Sequence, residues 1–216
     1  MLAGTVYDRA AKRDKAEQAL LRLVSVDPRS QAGYAMLAQL YVKQQRLDEA
    51  RKQFEVIAKR DPRSVGARTM IGIILEVQGK REEAKKAYEA AVADGQAAPV
   101  AANNLAFMYA EDGQNLDTAL QLASTAKKLM PENSEVDDTL GWVYYKKDLA
   151  SLAIPPLEES LKKRPDNPNA LYHLGMTYAK IGDKAKSRDA LERALKLNLR
   201  QAYVASARQT LATVTQ

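Results

Sequence analysis

The sequence repeats itself with a period of 34 residues, and this period constrains the fold more than any other feature. Pro28 and Pro62 lie 34 positions apart, and so do Pro131 and Pro165. Five tyrosines recur at the same place of the repeat: Tyr7, Tyr41, Tyr109, Tyr144 and Tyr178. They lie one or two periods apart, except that Tyr109 and Tyr144 are 35 residues apart, and Leu75 occupies the corresponding place between Tyr41 and Tyr109. A unit that recurs at this length is one supersecondary element, and its apolar surface must be buried by stacking against its neighbours.

Two tracks of small residues accompany the tyrosines. The first lies three positions before each tyrosine place: Gly4, Ala38, Gly72, Ala106, Gly141 and Gly175. The second follows 12 or 13 residues later: Ala16, Ala50, Ala84, Ala119, Ala153 and Ser187. Apolar residues three, four and seven apart share one side of a helix, as Leu174, Tyr178 and Ile181 do. Each repeat therefore predicts two helices that approach each other closely at the small residues.

The ends of the helices can be predicted from single residues. In the last copy, Asn167 is expected to cap a first helix that starts at Pro168, and Gly182 to end it with a positive φ. One extra residue in the turn at Gln114-Asn115-Leu116 predicts a longer connection there. Pro155 and Pro156 predict a second helix whose start is shifted or bent.

These motifs resemble the tetratricopeptide repeat family, whose signature combines a Leu-Gly pair, Tyr, Ala, an aromatic residue, Ala and Pro within 34 residues. The residues that carry the resemblance include Leu37-Ala38, Tyr41, Ala50, Phe54 and Pro62; Ile71-Gly72, Ala84, Tyr88 and Ala91; Leu105-Ala106, Tyr109, Ala119, Ala126 and Pro131; Leu140-Gly141, Tyr144, Ala153 and Pro165; and Leu174-Gly175, Tyr178, Leu191 and Ala194. The resemblance implies an all-α fold, a right-handed α-solenoid of about six helix-turn-helix repeats with a C-terminal capping helix.

We expect a single domain over residues 1–216. The predicted repeats are 1–30, 31–64, 65–98, 99–133, 134–167 and 168–200, and the capping helix is 201–216. The first repeat is truncated, because Met1 aligns with the fifth place of a repeat. This truncation suggests that the chain is a fragment of a longer protein.

The composition excludes several classes of site and partner. Cysteine is absent, which removes disulfides, thiolate catalysis and cysteine-ligated zinc, and a single histidine cannot build a metal site from several imidazoles. The formal charge is +6, but Lys and Arg alternate with Asp and Glu instead of forming a basic stripe interleaved with aromatic residues, so no nucleic-acid partner is expected. No apolar run approaches the ~18 to 20 residues of a membrane span, so we expect no membrane insertion by this segment.

The family resemblance implies that the first helices line a concave groove, in which the second, fifth, ninth, twelfth and thirteenth places of each repeat face a ligand. The ninth place forms a mainly apolar ladder of Gln39, Ile73, Phe107, Trp142 and Met176. Beside it lie Asn103, Asp138 and Tyr172 at the fifth place and Tyr145 at the twelfth. We predict that these nine residues bind a peptide or a helix of a partner protein. The alternative is that Phe107, Trp142 and Met176 pack between neighbouring first helices.

One known binding mode of the family does not fit this sequence. Chaperone-binding members hold a C-terminal carboxylate with Lys, Asn and Arg side chains of three consecutive repeats. The corresponding places hold Ala35 and Gln39, then Met70, then Val100 and Asn104. We therefore expect no docking of an acidic chaperone tail.

An enzyme is not predicted, and no cofactor is expected. His173 is interpreted as a partly buried helix residue, and adjacent acids such as Asp137 and Asp138 should point to different sides of their helix. The leading interpretation is a non-catalytic scaffold that binds an unidentified protein partner within a larger assembly. The alternative is self-association, as an assembly module of a longer bacterial envelope or exopolysaccharide-secretion protein.

That alternative follows from a finer resemblance. Asn103-Asn104-Leu105-Ala106 and Asp138-Thr139-Leu140-Gly141-Trp142 look like the C-terminal repeats of large bacterial proteins of exopolysaccharide export and envelope assembly. The resemblance slightly favours the bacterial periplasm over the cytoplasm.

Overall fold

The computed structural model describes residues 13–26, 31–93 and 98–215, and within these ranges the chain forms twelve α-helices and no strand. The helices are α1 (Arg13–Val26), α2 (Gln31–Lys43), α3 (Leu47–Arg60), α4 (Val65–Val77), α5 (Arg81–Val92), α6 (Pro99–Asp112), α7 (Leu116–Leu129), α8 (Ser134–Lys146), α9 (Ala150–Lys163), α10 (Pro168–Ile181), α11 (Lys184–Lys196) and α12 (Gln201–Val214). The predicted all-α repeat fold is confirmed. Gly4, Tyr7 and Pro28 lie outside the described residues.

Each predicted repeat from 31–64 to 168–200 contains two of these helices. Within a repeat, α2 packs against α3, α4 against α5, α8 against α9 and α10 against α11. Second helices also pack against the first helix of the following repeat, as α3 does against α4 and α9 against α10. Helices α3, α4, α9 and α10 therefore each bury two flanks, one against the partner in the same repeat and one against the neighbouring repeat.

The glycines of the first small-residue track set how closely paired helices approach. A Cβ atom built on Gly175 would lie 2.6 Å from Cγ of Leu191 in the paired helix α11. Gly72 faces Tyr88 of α5 with equally little space. The bulky side chain of the second helix thus occupies the volume that the missing side chain leaves free.

Both ends of α10 follow the sequence signals. The side chain of Asn167 accepts hydrogen bonds from the backbone N–H groups of Asn169 and Ala170, and Gly182 has a φ of 86°. Between α6 and α7 the connection has three residues, as it has between α2 and α3, between α4 and α5 and between α8 and α9, so the expected longer connection is not found. The extra residue extends the first helix instead, because α6 ends three positions after Tyr109 and α8 ends two positions after Tyr144.

A shifted start of α9 is not observed, and the alternative of a local bend stays a prediction. The helix begins at Ala150, directly after the turn, and continues through Pro155 and Pro156 to Lys163. The prolines remove the helical bonds to the carbonyl groups of Ser151 and Leu152, and both of these residues are exposed, so that water can replace the lost donors.

The chain divides into two compact units, Met1–Ala101 and Ala102–Gln216. In the first unit, Leu37, Tyr41 and Phe54 belong to the buried core. In the second unit, Leu157 and Tyr178 are part of the buried core. A single domain over residues 1–216 stays a prediction.

The predicted capping helix, α12, packs against α10 and α11. It places Tyr203 and Ala207 in the protein interior. The place that holds Gly or Ala in every repeat is occupied in α12 by Gln209, which is exposed. Because a paired second helix lies directly on this place in the repeats, the side chain of Gln209 is incompatible with the same pairing.

None of the helices in the described ranges is both long enough and apolar enough to cross a membrane.

Candidate functional site

Two of the predicted site residues belong to the first unit. Gln39 is exposed on α2, and Ile73 is half-buried on α4. Near Ile73 on α4, the exposed Glu76 accepts a hydrogen bond of 2.5 Å from the Tyr88 hydroxyl of α5. This bond holds the end of the first helix to the second helix of the same repeat.

The other seven predicted residues belong to the second unit, where Trp142 is the centre of an aromatic cluster. Its indole ring stacks on His173 with ring centroids 4.1 Å apart, and on Tyr145 with centroids 4.7 Å apart. Its Nε1–H donates a 2.7 Å hydrogen bond to Glu111 at the end of α6. Only 3% of Trp142 is exposed, so this residue packs between first helices as the alternative interpretation describes.

Tyr203 of α12 completes the cluster. Its ring stacks on Tyr172 with centroids 4.5 Å apart and an interplanar angle of 10°. Its hydroxyl donates a 2.8 Å hydrogen bond to the second carboxylate oxygen of Glu111. Glu111 therefore joins α6, α8 and α12, because it accepts one bond from Trp142 and one from Tyr203.

Tyr203 was not among the predicted site residues, and its place in the repeat is defined by contacts of the folded chain. Tyr172 donates a 3.2 Å bond to Ser206, and Thr210 lies 3.3 Å from the sulfur of Met176. Both pairs are 34 residues apart, so α12 keeps the register of a further first helix. In that register Tyr203, Ser206 and Thr210 occupy the second, fifth and ninth places, which are the places predicted to face the groove.

The predicted site residue Asp138 is bound to His173. Nδ1 of His173 lies 2.8 Å from Oδ1 of Asp138, and the histidine is completely buried. Its Nε2 has no hydrogen-bond partner among the described residues. Burial of His173 is thus more complete than the partly buried position expected from the sequence.

The remaining predicted residues differ in accessibility. Asn103 is buried and donates a long 3.4 Å bond to the neighbouring Asn104. Phe107, Tyr145 and Met176 are half-buried. Of the predicted residues in the second unit, these three retain the largest accessible surface.

Burial and charge determine the electrostatics of the cluster. Burial, and then the Glu111 carboxylate, raise the pKa of Tyr203 well above its usual value. Burial also raises the pKa of Tyr172 and of Tyr145. The phenols therefore stay protonated at neutral pH and serve as hydrogen-bond donors. Lys180 lies 4.6 Å from the Tyr145 ring centroid, which adds a cation to the margin of the cluster.

The cluster provides aromatic ring faces, the Glu111 carboxylate that accepts two hydrogen bonds, and the Lys180 ammonium group at its edge. Groups of these kinds can bind a ligand. Within the described parts of the chain, no group of three or more His, Asp or Glu side chains is placed to hold a metal ion. The Tyr203 phenol donates to a carboxylate oxygen of Glu111, and the Tyr172 phenol donates to the hydroxyl oxygen of Ser206.

The tetratricopeptide repeat profile matches residues 1–65, 69–134 and 168–200, which together are more than half of the chain. The chain belongs to the tetratricopeptide repeat family. Members of this family are generally non-catalytic, and the fold is that of a scaffold for protein–protein interactions. No curated protein matches the sequence.

Solved structures of tetratricopeptide repeat proteins share this fold. The chain is similar to YrrB, "a TPR protein with an unusual peptide-binding site", with 19% identity and a TM-score of 0.69 over 89% of this chain and 99% of that one. It is also similar to a chain of the Cut9–Hcn1 hetero-tetramer, with 16% identity and a TM-score of 0.74 over 99% of this chain and 41% of that one. PilF from Pseudomonas aeruginosa is 20% identical, with a TM-score of 0.62 over 85% and 88% of the two chains. At these identities the similarity shows the fold alone.

Proposed function

We propose that this tetratricopeptide repeat protein binds a peptide or helical segment of a partner protein on the first-helix face of its second unit. The observation that carries the proposal is that Phe107, Tyr145 and Met176 stay half-buried beside an aromatic cluster that is otherwise closed. Partly exposed aromatic and methionine side chains next to a rigid floor are typical of the anchor pockets of protein interfaces.

The rigidity of the floor supports this proposal. Trp142 is held by two stacked rings and by its bond to Glu111, so the surface beside Phe107 and Tyr145 is fixed before any partner arrives. A preorganised surface loses little conformational entropy on binding. An extended or helical segment could therefore bind by inserting two or three apolar side chains.

The fold similarity to YrrB adds an analogy. YrrB has the same fold and an unusual peptide-binding site, and the similarity extends over 99% of its chain. The analogy concerns the kind of ligand, and it carries no residue of YrrB over to this chain.

The experiment compares three alanine variants. Phe107→Ala and Met176→Ala each remove an anchor of the proposed surface, whereas Leu152→Ala removes an exposed apolar side chain from a second helix. Partners captured from the native cell by the wild-type chain are identified, and the affinity of the purified partner is then measured for each variant. The loss of an anchor should cost about 2 kcal/mol, which is about thirtyfold in affinity, and Leu152→Ala should bind like the wild type.

Equal affinity of all four proteins would contradict the proposal. Circular dichroism and thermal unfolding of each variant establish that the fold is retained, so that a loss of binding reports on the surface.

Self-association is a second candidate, as part of an assembly module in a longer bacterial envelope or exopolysaccharide-secretion protein. Leu149 and Leu152, near the start of α9, are 39% and 54% exposed, and such side chains can join two copies. Light scattering over a range of concentrations tests this candidate. A mass that rises with concentration in the wild type and not in Leu152→Ser supports it, and a constant monomer mass contradicts it.

A further inference from the structure

The rings of Trp142, Tyr172 and His173 form the floor of the aromatic cluster, and Tyr203 of the same chain covers this floor. Tyr203 lies on Tyr172, and its ring centroid is 6.4 Å from that of Trp142 and 5.5 Å from that of His173, both in edge-on geometry. Its hydroxyl reaches Glu111, which is 92 residues earlier in the sequence. A single tyrosine thus covers the floor and connects the last described helix with the first helix of the second unit.

Tyr203 is buried at the start of α12, with 6% of its surface exposed. It is the third residue of α12, and it is fixed by the stack on Tyr172, by the bond to Glu111 and by the Arg200 guanidinium 5.6 Å from its ring centroid. Two further residues of α12 contact α10, because Ser206 accepts a bond from Tyr172 and Thr210 lies against the sulfur of Met176. Exchange of Tyr203 requires a movement at the start of α12, and the contacts of Ser206 and Thr210 lie one and two turns further along the helix.

The floor that Tyr203 covers has a defined chemistry. The Tyr172 ring offers a flat face. One carboxylate oxygen of Glu111 accepts the hydrogen bond from Trp142, and the other oxygen accepts the hydrogen bond from Tyr203. A ligand that replaces Tyr203 must therefore donate a hydrogen bond to this second oxygen. A phenylalanine in this position would leave the carboxylate oxygen without its donor, and an acidic side chain would meet the charge of Glu111. A phenol satisfies both the ring face and the carboxylate.

We propose that a partner segment enters this site by exchange with Tyr203, placing a tyrosine of its own on Tyr172 and donating its hydroxyl hydrogen to Glu111. This inference rests on the proposed function and adds the residue by which the partner is recognised. Tyr203 competes with the partner for this site. The apparent affinity for the partner is therefore reduced in proportion to the fraction of molecules in which Tyr203 covers the floor. Phe107 and Met176 then contact the residues that flank the partner's tyrosine.

Two substitutions distinguish this exchange from general effects on stability. Tyr203→Phe keeps the ring and removes the bond to Glu111, which weakens the competitor alone. Tyr178→Phe is the matched control, because the Tyr178 hydroxyl donates a 2.7 Å bond to Glu158 and this tyrosine lies outside the aromatic cluster. Both variants lose one phenol–carboxylate bond.

The probe is a displayed library of random peptides, selected on the wild type and on Tyr203→Ala, and the selected peptides are measured by fluorescence anisotropy. We expect them to share a tyrosine and to bind Tyr203→Phe about tenfold more tightly than the wild type, with Tyr178→Phe unchanged. Replacing the tyrosine of the peptide by phenylalanine should weaken binding to Tyr203→Phe about tenfold, and this difference should disappear in a variant that also carries Glu111→Gln.

The inference is overturned if Tyr203→Phe and Tyr178→Phe bind the peptides equally, if binding needs no tyrosine in the peptide, or if peptides selected on Tyr203→Ala do not bind the wild type. A library from which neither protein selects any peptide contradicts the proposed function itself, together with this inference.

Discussion

Lys163 of α9 reaches the buried carboxylate of Asp137 on α8, with Nζ 2.7 Å from Oδ2. Lys127 of α7 approaches the other oxygen at 2.6 Å, and both ammonium groups also donate to the carbonyl oxygen of Pro131. Asp137, of which 1% is exposed, thus connects the second helices of two consecutive repeats. The bond to Asp137 raises the pKa of Lys163.

Asp137→Ala should destabilise the protein strongly. The substitution leaves two ammonium groups without their shared carboxylate, and removal of one partner of a buried ion pair typically costs about 3 kcal/mol. Urea unfolding measures the loss. Asp117→Ala is the matched control, because the Asp117 side chain is 94% exposed and pairs with Lys147 at the surface; its cost should stay below about 1 kcal/mol. A cost for Asp137→Ala no larger than that of the control would contradict this account of the pair.

Gly175→Ala should destabilise the protein, although alanine is the better helix former. The new methyl group would lie 2.6 Å from Cγ of Leu191, and a core forced apart in this way loses about 1 to 3 kcal/mol. Gly66→Ala is the control, since this helical glycine has nothing within 4 Å of the added Cβ. It should stabilise the protein by up to about 1 kcal/mol through helix propensity. Thermal unfolding separates the two, and the same sign of change in both variants would show that packing at Gly175 is not limiting.

The repeated part of the fold could be predicted because each local signal recurs. The glycine track predicts the close approach of Gly175 to α11, and Asn167 and Gly182 predict both ends of α10; each of these expectations is confirmed. The expectation that Asp137 and Asp138 face different sides is also confirmed, because one binds two lysines and the other binds His173.

The closure of the aromatic cluster could not be predicted in the same way. The contact between Tyr203 and Glu111 joins residues 92 apart, and no period links them. In the segment 201–216, Gln209 stands in the place of the small residue of the family signature and Ala212 in the place of the tyrosine. The segment therefore indicates a capping helix, but it does not fix the register of that helix against the last repeat. The ninth-place ladder likewise could not show that Trp142 is buried, because its burial depends on Tyr203 and His173.

Nδ1 of His173 should carry a proton. The Asp138 carboxylate oxygen 2.8 Å away can only accept a hydrogen bond, and Nε2 has no partner among the described residues. Long-range proton–nitrogen NMR spectra identify the protonated nitrogen directly, and a proton on Nε2 alone would contradict this geometry. Asp138→Ala leaves Nδ1 buried without an acceptor and should cost about 1 to 3 kcal/mol, whereas alanine at the exposed Asp166 should change stability by about 0.5 kcal/mol or less.

Tyr41 should make the stability of the protein fall at alkaline pH. Burial, followed by its hydrogen bond of 3.0 Å to Glu17, raises the pKa of Tyr41 from 10.0 to about 12. Because the folded state holds this proton more tightly than the unfolded state, the stabilisation is complete below about pH 10 and is lost as the pH rises towards 12.

The measurement is urea unfolding of the wild type and of Tyr41→Phe, followed by circular dichroism, at several pH values across this window. Other groups that titrate there, lysines included, affect both proteins, so the difference between the two isolates Tyr41. We expect the stability advantage of the wild type to shrink between pH 10 and 12, and an advantage that stays constant across the window would show that the phenol is not held in its protonated form by the fold.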